Sequence, residues 1–297
     1  MRINAYIMAA DPAWIEASVL SYYDLVQQIV VSYDAAGLSW SGTPLPVDQC
    51  LARLRRIDPC GKMRFYPGLF ARPECNPMQN DTHQRQCALD LAAEGADWVL
   101  QLDTDEVLAD PVHFVDCLKE AQRRGFSAME YPARWLYRAL GEDLYLERCS
   151  RFWRTAGGFP GPVAVRPGTR LRNARQCDVP LFRVDFRSSN TDPWHCKNAP
   201  VHRVVSPRQG IVHYSWIREE KELLRKTSSW GHSKENWSPE IRHWLWAGRH
   251  PLLASLATPF MSITRRMRIA RIPSPSPFHA AATKSSTAPH VQPMPCQ

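Results

Sequence analysis

The chain has 297 residues, 44% of them hydrophobic, enough to bury one large core or one domain with an appended lobe. No run of 18 or more apolar residues occurs, and MRINAYIMAADPAW lacks the basic start, apolar stretch and small-residue cleavage site of a secretory signal, so a cytoplasmic protein is expected. The net charge of +8 suggests nucleic acid, but Arg265, Arg266, Arg268, Arg271 and Lys284 follow Phe260 with no acidic residue beside them, leaving only +3 for the preceding chain.

The basicity is thus a tail property, and no nucleic-acid partner is expected. Such a tail could make peripheral contact with anionic lipid on the inner face of the membrane. The nine cysteines are scattered and odd in number, without paired-ligand spacing, and read as free thiols.

Residues 3–9 form a short apolar run, after which Asp11 and Pro12 supply an N-cap and first-turn pair for a helix burying Ile15, Val19 and Tyr22. Residues 28–33 are β-branched and bounded by Asp34 and Gly37, a second strand. Val47, Cys50, Leu51, Leu54 and Ile57 then fall at helical spacing, and residues 62–66 make a third strand. A third helix is expected from Asp81, with Gln84 three residues on, to Gly95. Residues 98–102 follow as an apolar strand. This alternation implies right-handed crossovers and an α/β fold with a mostly parallel central sheet flanked by helices.

From Gly125 the regularity declines. Residues 126–131, 150–154 and 211–216 look like strands, and 219–230 like a helix, giving a mixed C-terminal extension. Beyond about Gly248 the Pro/Ser/Ala-rich sequence has few large apolar residues and is expected to be disordered. The organisation expected is therefore a domain over 1–248, with a nucleotide-binding half (1–110) and an acceptor-binding half (111–248), followed by a basic tail over 249–297.

The sharpest local signal is Trp98-Val-Leu-Gln-Leu-Asp-Thr-Asp-Glu106, a buried strand running into two carboxylates at i and i+2. In extended geometry alternate residues point the same way, so Asp103 and Asp105 can converge on one hard cation. Ligands of open α/β sheets bind at such strand ends. An acidic pair after a strand also serves as a cap or turn, so context decides.

The context resembles glycosyltransferase family 2 and related GT-A enzymes. Residues 3–10 match the opening strand, Val30-Val-Ser-Tyr-Asp34 the second strand with its acidic residue, Gln84-Arg85-Gln-Cys-Ala-Leu89 the helix, and Trp98 to Leu108 the Asp-x-Asp-Glu segment. Ile211-Val-His-Tyr-Ser-Trp-Ile-Arg218, with Lys221 and Lys226, looks like the block where a histidine returns to the metal or diphosphate. The resemblance implies a nucleoside-diphosphate-sugar donor, a glycan or lipid-linked acceptor and a Mn2+ or Mg2+ ion. It places Asp34 on the nucleoside, Asp103 on the ribose or metal, Asp105 on the metal, and His213 on the metal or diphosphate.

Each of these has a plainer alternative: Asp34 as a turn residue, Arg85 as a solvated helix arginine rather than a donor-side group, Lys226 as a surface lysine rather than a phosphate partner. Two features depart from the family. Ala9-Ala10-Asp11 stands where Asn-Glu is usual, and the Gln-x-x-Arg-Trp motif of processive synthases is missing, which points to single sugar transfer. An inverting transfer needs a carboxylate base; Glu130, beside the aromatic run at Trp135, is the candidate, with Trp135 as a sugar-stacking surface. The competing functions are a nucleotidyltransferase, which lacks its Gly-rich phosphate loop here, and a binding module working through the basic tail.

Overall fold

The computed structural model describes residues 1–192, 199–229 and 236–273. In chain order the elements are β1 (Ile3–Met8), α1 (Ile15–Leu20), β2 (Ile29–Asp34), α2 (Val47–Arg56), β3 (Met63–Gly68), α3 (Pro77–Ala92), β4 (Trp98–Leu100), β5 (Glu106–Leu108) and α4 (Pro111–Arg123). Then come β6 (Ala128–Glu130), β7 (Ala133–Gly141), β8 (Leu144–Arg148), β9 (Ala164–Val165), β10 (Leu171–Arg172), β11 (Gln176–Cys177), β12 (Leu181–Asp185) and β13 (Arg203–Val204). The chain continues with β14 (Ile211–His213), α5 (Glu220–Ser229), α6 (Ser238–Arg249), α7 (Pro251–Leu256) and β15 (Met267–Arg271).

The main sheet runs β13-β12-β6-β9-β4-β1-β2-β3, and all its pairings are parallel except the two made by β9. Its central strands β1, β2 and β4 are buried on both faces, and the two-residue period assigns each face a separate core. Ile3, Ala5 and Ile7 of β1, Ile29 and Val31 of β2 and Trp98 and Leu100 of β4 pack with α1, α2 and α4. Tyr6, Met8, Val30 and Val99 face Ala88, Leu89 and Ala92 of α3. A doubly covered, mostly parallel α/β sheet is the fold class expected from the sequence.

A second sheet, β15-β8-β7-β14-β5, leans on the first at the point where the chain leaves β4. Its pairings are antiparallel except β14 with β7. Tyr137, Leu146, Trp216, Trp244 and Met267 form its core with α6 and α7.

Several expectations need correcting. Helix α3 starts at Pro77, where Asn76 and Gln79 close a reciprocal capping box, so Asp81 lies inside the helix. Asp11 does not cap α1, which begins at Ile15; its carboxylate accepts from Ala13 N (3.0 Å) and pairs with Arg218 (3.0 Å). Residues 150–154 are a loop, and the strands there are the β7–β8 hairpin. Cys60 is disulfide-bonded, whereas Cys50, Cys75, Cys87, Cys117, Cys149 and Cys177 are free.

The largest correction concerns the tail. Residues 251–271 are folded: Ala254 and Met267 are buried, and all five residues of β15 pair with β8. The physical reason is that Arg268 is neutralised by Glu147 (2.8 Å), which Arg134 also holds from β7 (2.7 Å), so an arginine-rich strand can close the sheet. The rest of the expected tail, 274–297, lies outside the described residues.

Candidate active site

Strand β4 stops at Leu100, and the next five residues carry the chain from the main sheet to β5 of the second. Two buried groups fix that crossing. Gln101 accepts from Tyr6 Oη (3.0 Å) and donates to Pro162 O (2.6 Å). Glu106, fully buried, takes both ends of the Arg175 guanidinium (2.7 and 2.6 Å) and accepts from the Asp103 amide (2.9 Å). The third acidic residue of Asp-Thr-Asp-Glu is thus a fastening, and it leaves the two aspartates facing a cavity of about 790 Å³. That volume lies in the range of small-molecule and cofactor sites.

The two aspartates have different surroundings. Asp103 keeps 30% of its side chain open, with Arg85 NH2 2.9 Å from one oxygen and Arg175 NH1 3.9 Å from the other. Burial would raise its carboxyl pKa, but Arg85 and then Arg175 hold it below the usual carboxylate range. Asp105 is buried. One of its oxygens lies 3.2 Å from His213 Nε2, and the other meets Arg218 NH2 (2.9 Å) and Lys226 Nζ. Burial opposes its ionisation too, yet Lys226, His213 and Arg218 together hold it well below the ordinary range.

Sheet register explains why residues so distant in sequence meet. Strand β14 pairs antiparallel with β5, His213 opposite Glu106, and Tyr214 N donates to Asp105 O (2.8 Å). Lys226 reaches the same carboxylate from α5, which follows directly. His213 Nδ1 is buried without a hydrogen-bond partner among the described residues, and its ring stands edge-on to Trp135 at 5.0 Å.

The other candidates divide. Arg85 is a buried cavity residue held by Asp81 (2.6 Å) and Asp103, not a solvated helix arginine. Trp135 lines the cavity, and its ring passes so close to Gly158 that a Cβ there would overlap the indole nitrogen. Asp34 borders the cavity, but its carboxylate is occupied: Oδ1 accepts from Ala36 and Leu38 amides, Oδ2 from Phe70 and Ala71 amides. It organises two loops, which favours the turn alternative.

Glu130 is a correction. It is 3% exposed, does not line the cavity, and is paired with Arg183 (2.8 Å), whose guanidinium lies on the Phe159 ring. A carboxylate so placed cannot reach an acceptor hydroxyl. Glu240 of α6 does line the cavity, beside Trp216 and Trp237.

Sequence reasoning missed Arg175 and Arg218 as site groups, together with Arg148. Arg148 lines the cavity over the Trp135 ring (4.8 Å) and makes no ion pair among the described residues. Arg218 had a signal, its place in the His213 block; Arg175 lies just ahead of a two-residue strand, where no pattern marks it. Trp40, Leu38 and Leu45 also line the cavity, with Trp40 Nε1 donating to Gln84 (2.6 Å).

No protein-family model matches the chain, and no curated protein sequence matches it. Among solved structures it is similar in part to 4-diphosphocytidyl-2C-methyl-D-erythritol synthase from Anaerococcus prevotii, with a TM-score of 0.33 and 14% identity over 56% of this chain and 71% of that one. It is also similar to mannose-6-phosphate isomerase from Helicobacter pylori (0.29, 12%, over 50% and 56%) and to mannose-1-phosphate geranyltransferase from Thermus thermophilus (0.28, 13%, over 50% and 49%). The chain thus spans about half the length of the last two. Likenesses this distant assign no chemistry, which has to come from the cavity itself. Among the described residues no helix is long and apolar enough to cross a membrane.

Proposed function

We propose that the protein is a GT-A type glycosyltransferase that moves a single sugar from a nucleoside-diphosphate donor to a hydroxyl of a glycan or lipid-linked acceptor. One observation carries the reading. At the carboxyl end of a mostly parallel sheet, two aspartates face a cavity that also presents Arg85, Arg175 and Lys226 together with Trp40, Trp135, Trp216 and Trp237. Cations around a cleft suit a diphosphate, and apolar rings suit a base and a sugar face.

The residues fit a Mn2+ or Mg2+ ion held by Asp105 and His213. Their facing atoms are 3.2 Å apart, as neighbouring ligands of one cation can be, and oxygen with imidazole nitrogen suits manganese. Among the described residues no group of three or more His, Cys, Asp and Glu side chains converges as a metal cage. This favours an ion completed by substrate phosphates, the usual habit of nucleotide-bound divalent cations. Such an ion would neutralise the diphosphate and make it a better leaving group.

The protein's own groups do the rest. Arg85 and Arg175 orient Asp103, with an oxygen open to the donor. Lys226 meets negative charge as the nucleoside diphosphate departs, and Arg218, buried between Asp11 and Asp105, positions the Asp105 carboxylate. Glu240 replaces Glu130 as the base that takes the acceptor proton in an inverting displacement.

The test is a thermal-shift series with uridine, guanosine, cytidine and adenosine diphosphates, with and without Mn2+, followed by donor hydrolysis. A ligand bound only by the native state raises its melting temperature. One nucleoside diphosphate should stabilise the protein in a Mn2+-dependent manner. No stabilisation by any of them, or release of pyrophosphate from a nucleoside triphosphate, would replace this reading with nucleotidyl transfer or with binding alone.

A further inference from the structure

Exposed large apolar side chains gather where α7 and the segment after it meet the loop that follows β8. Phe260 is 90% exposed, Phe152 70% and Leu256 68%, and Leu252 and Leu253 are exposed beside them. The two segments adjoin, because Trp153 Nε1 donates to Ser255 O (2.8 Å) and Arg268 NH1 to Trp153 O (3.1 Å). Soluble surfaces scatter such residues singly, and a cluster of this kind marks an interaction face.

Charge narrows the partner. Between residues 241 and 273 the sequence holds six arginines and no Asp or Glu, and Phe152 and Trp153 lie between Arg151 and Arg154. Arg249, Arg265 and Arg266 flank the apolar residues in the chain. A second copy of the same face would set arginine against arginine. A surface that is apolar beneath and anionic at its boundary satisfies both features at once.

We propose that this face docks on the surface of an anionic lipid bilayer, with Leu252, Leu256, Phe260 and Phe152 entering the headgroup region and the arginines meeting lipid phosphates. The face is part of the folded domain, and the inference does not depend on the enzymatic reading. It does fit it: Thr264, four residues beyond Phe260, and Arg148, just ahead of the Phe152 loop, both line the cavity, so a docked molecule would hold that end of the cavity near the lipid.

The experiment is flotation of the full-length protein with vesicles of phosphatidylcholine alone and of phosphatidylcholine mixed with phosphatidylglycerol. Binding is expected to the anionic vesicles, to weaken with salt, and to fall about tenfold or more in Leu256→Ser/Phe260→Ser. Hydrogen exchange on the wild-type protein provides a second measurement, with protection expected over residues 249–266 when anionic vesicles are added. No binding to anionic vesicles would overturn the proposal, as would equal binding to both compositions. So would a dimer, unaffected by vesicles, that the double substitution dissociates.

Discussion

His213 Nε2 stands 3.2 Å from Asp105 Oδ1 although 108 positions separate the two residues, and strand β14 beside β5 is what brings them together. If the pair holds a cation, His213→Ala should lower Mn2+-dependent donor turnover by at least the roughly 10–100-fold that losing even an outer-shell partner of a metal ligand costs. His202→Ala is the control, since that ring packs on Phe126 and Phe182 away from the cavity. Unchanged turnover in His213→Ala, with normal Mn2+ dependence, would reduce His213 to a packing residue.

The two aspartates should separate when stability is measured. Asp103→Asn removes a partly open carboxylate whose partners Arg85 and Arg175 retain Asp81 and Glu106. Asp105→Asn takes the carboxylate from half-buried Lys226, and leaves fully buried Arg218, among the described residues, only Asp11. Removing one member of a buried ion cluster costs about 3–5 kcal/mol. Urea denaturation should therefore find Asp103→Asn near wild type and Asp105→Asn clearly destabilised, while both lose turnover. Equal stability of the two would contradict the buried cluster around Asp105.

Truncation after Gly248 removes α7 and β15, and with them the strand that closes the second sheet over Leu146 and Cys149. Loss of soluble protein, or of at least about 3 kcal/mol in denaturation, is expected from the apolar surface this would uncover. Glu147→Gln should destabilise in the same direction, since it leaves Arg134 and Arg268 facing a neutral amide. A truncated chain with wild-type stability would mean that residues 251–271 contribute nothing to the core.

These contrasts show which parts of the molecule were legible in the sequence. The first hundred residues announce themselves because each element has an uninterrupted apolar period and local punctuation: Val30 and Val31 in one strand, Leu51 and Leu54 in one helix, the Asp-x-Asp-Glu run after Trp98. The second sheet does not. In β7 and β15 the alternation is broken by Arg134 and Arg268, whose charges are cancelled by Glu147 on the strand between them, a contact no local window contains. Asp103, Asp105, His213 and Lys226 could be gathered from motif order. Glu130 could not be rejected, because its partner Arg183 belongs to a strand and lies 53 residues further on.

His243 gives the fold a pH signature. Burial, with Arg265 and Arg148 nearby, lowers its pKa from 6.5 to about 4 in the folded state, where its Nδ1 faces Tyr137 Oη at 3.0 Å. Between these values the unfolded chain binds the extra proton and the folded one does not, so this contribution is complete above pH 6.5 and is lost as pH falls toward 4. Denaturation profiles should rise across that interval in wild type and rise less in His243→Asn. A profile with the same slope in the variant would remove His243 from the account.

Lys226 offers the most discriminating substitution, because it competes for the carboxylate that a cation would use. Its ammonium sits on Asp105 Oδ2 and also donates to Ser215 Oγ (3.0 Å). A divalent ion on Asp105 Oδ1 and His213 would share one carboxylate with the ammonium on Oδ2, and the repulsion between the two cations favours release of the lysine to a phosphate oxygen. Lys226→Met keeps the stem and deletes the charge. It should raise the affinity for Mn2+ alone, read as loss of the free-ion paramagnetic resonance signal, because the competitor is gone. It should at the same time weaken nucleoside-diphosphate binding and slow transfer, since a charge-assisted bond of about 1.5–3 kcal/mol disappears from the ligand's side. Opposite shifts in the two affinities would tie Asp105, Lys226 and the diphosphate to one exchange of partners. Parallel losses would mean that Lys226 merely holds Asp105 in place.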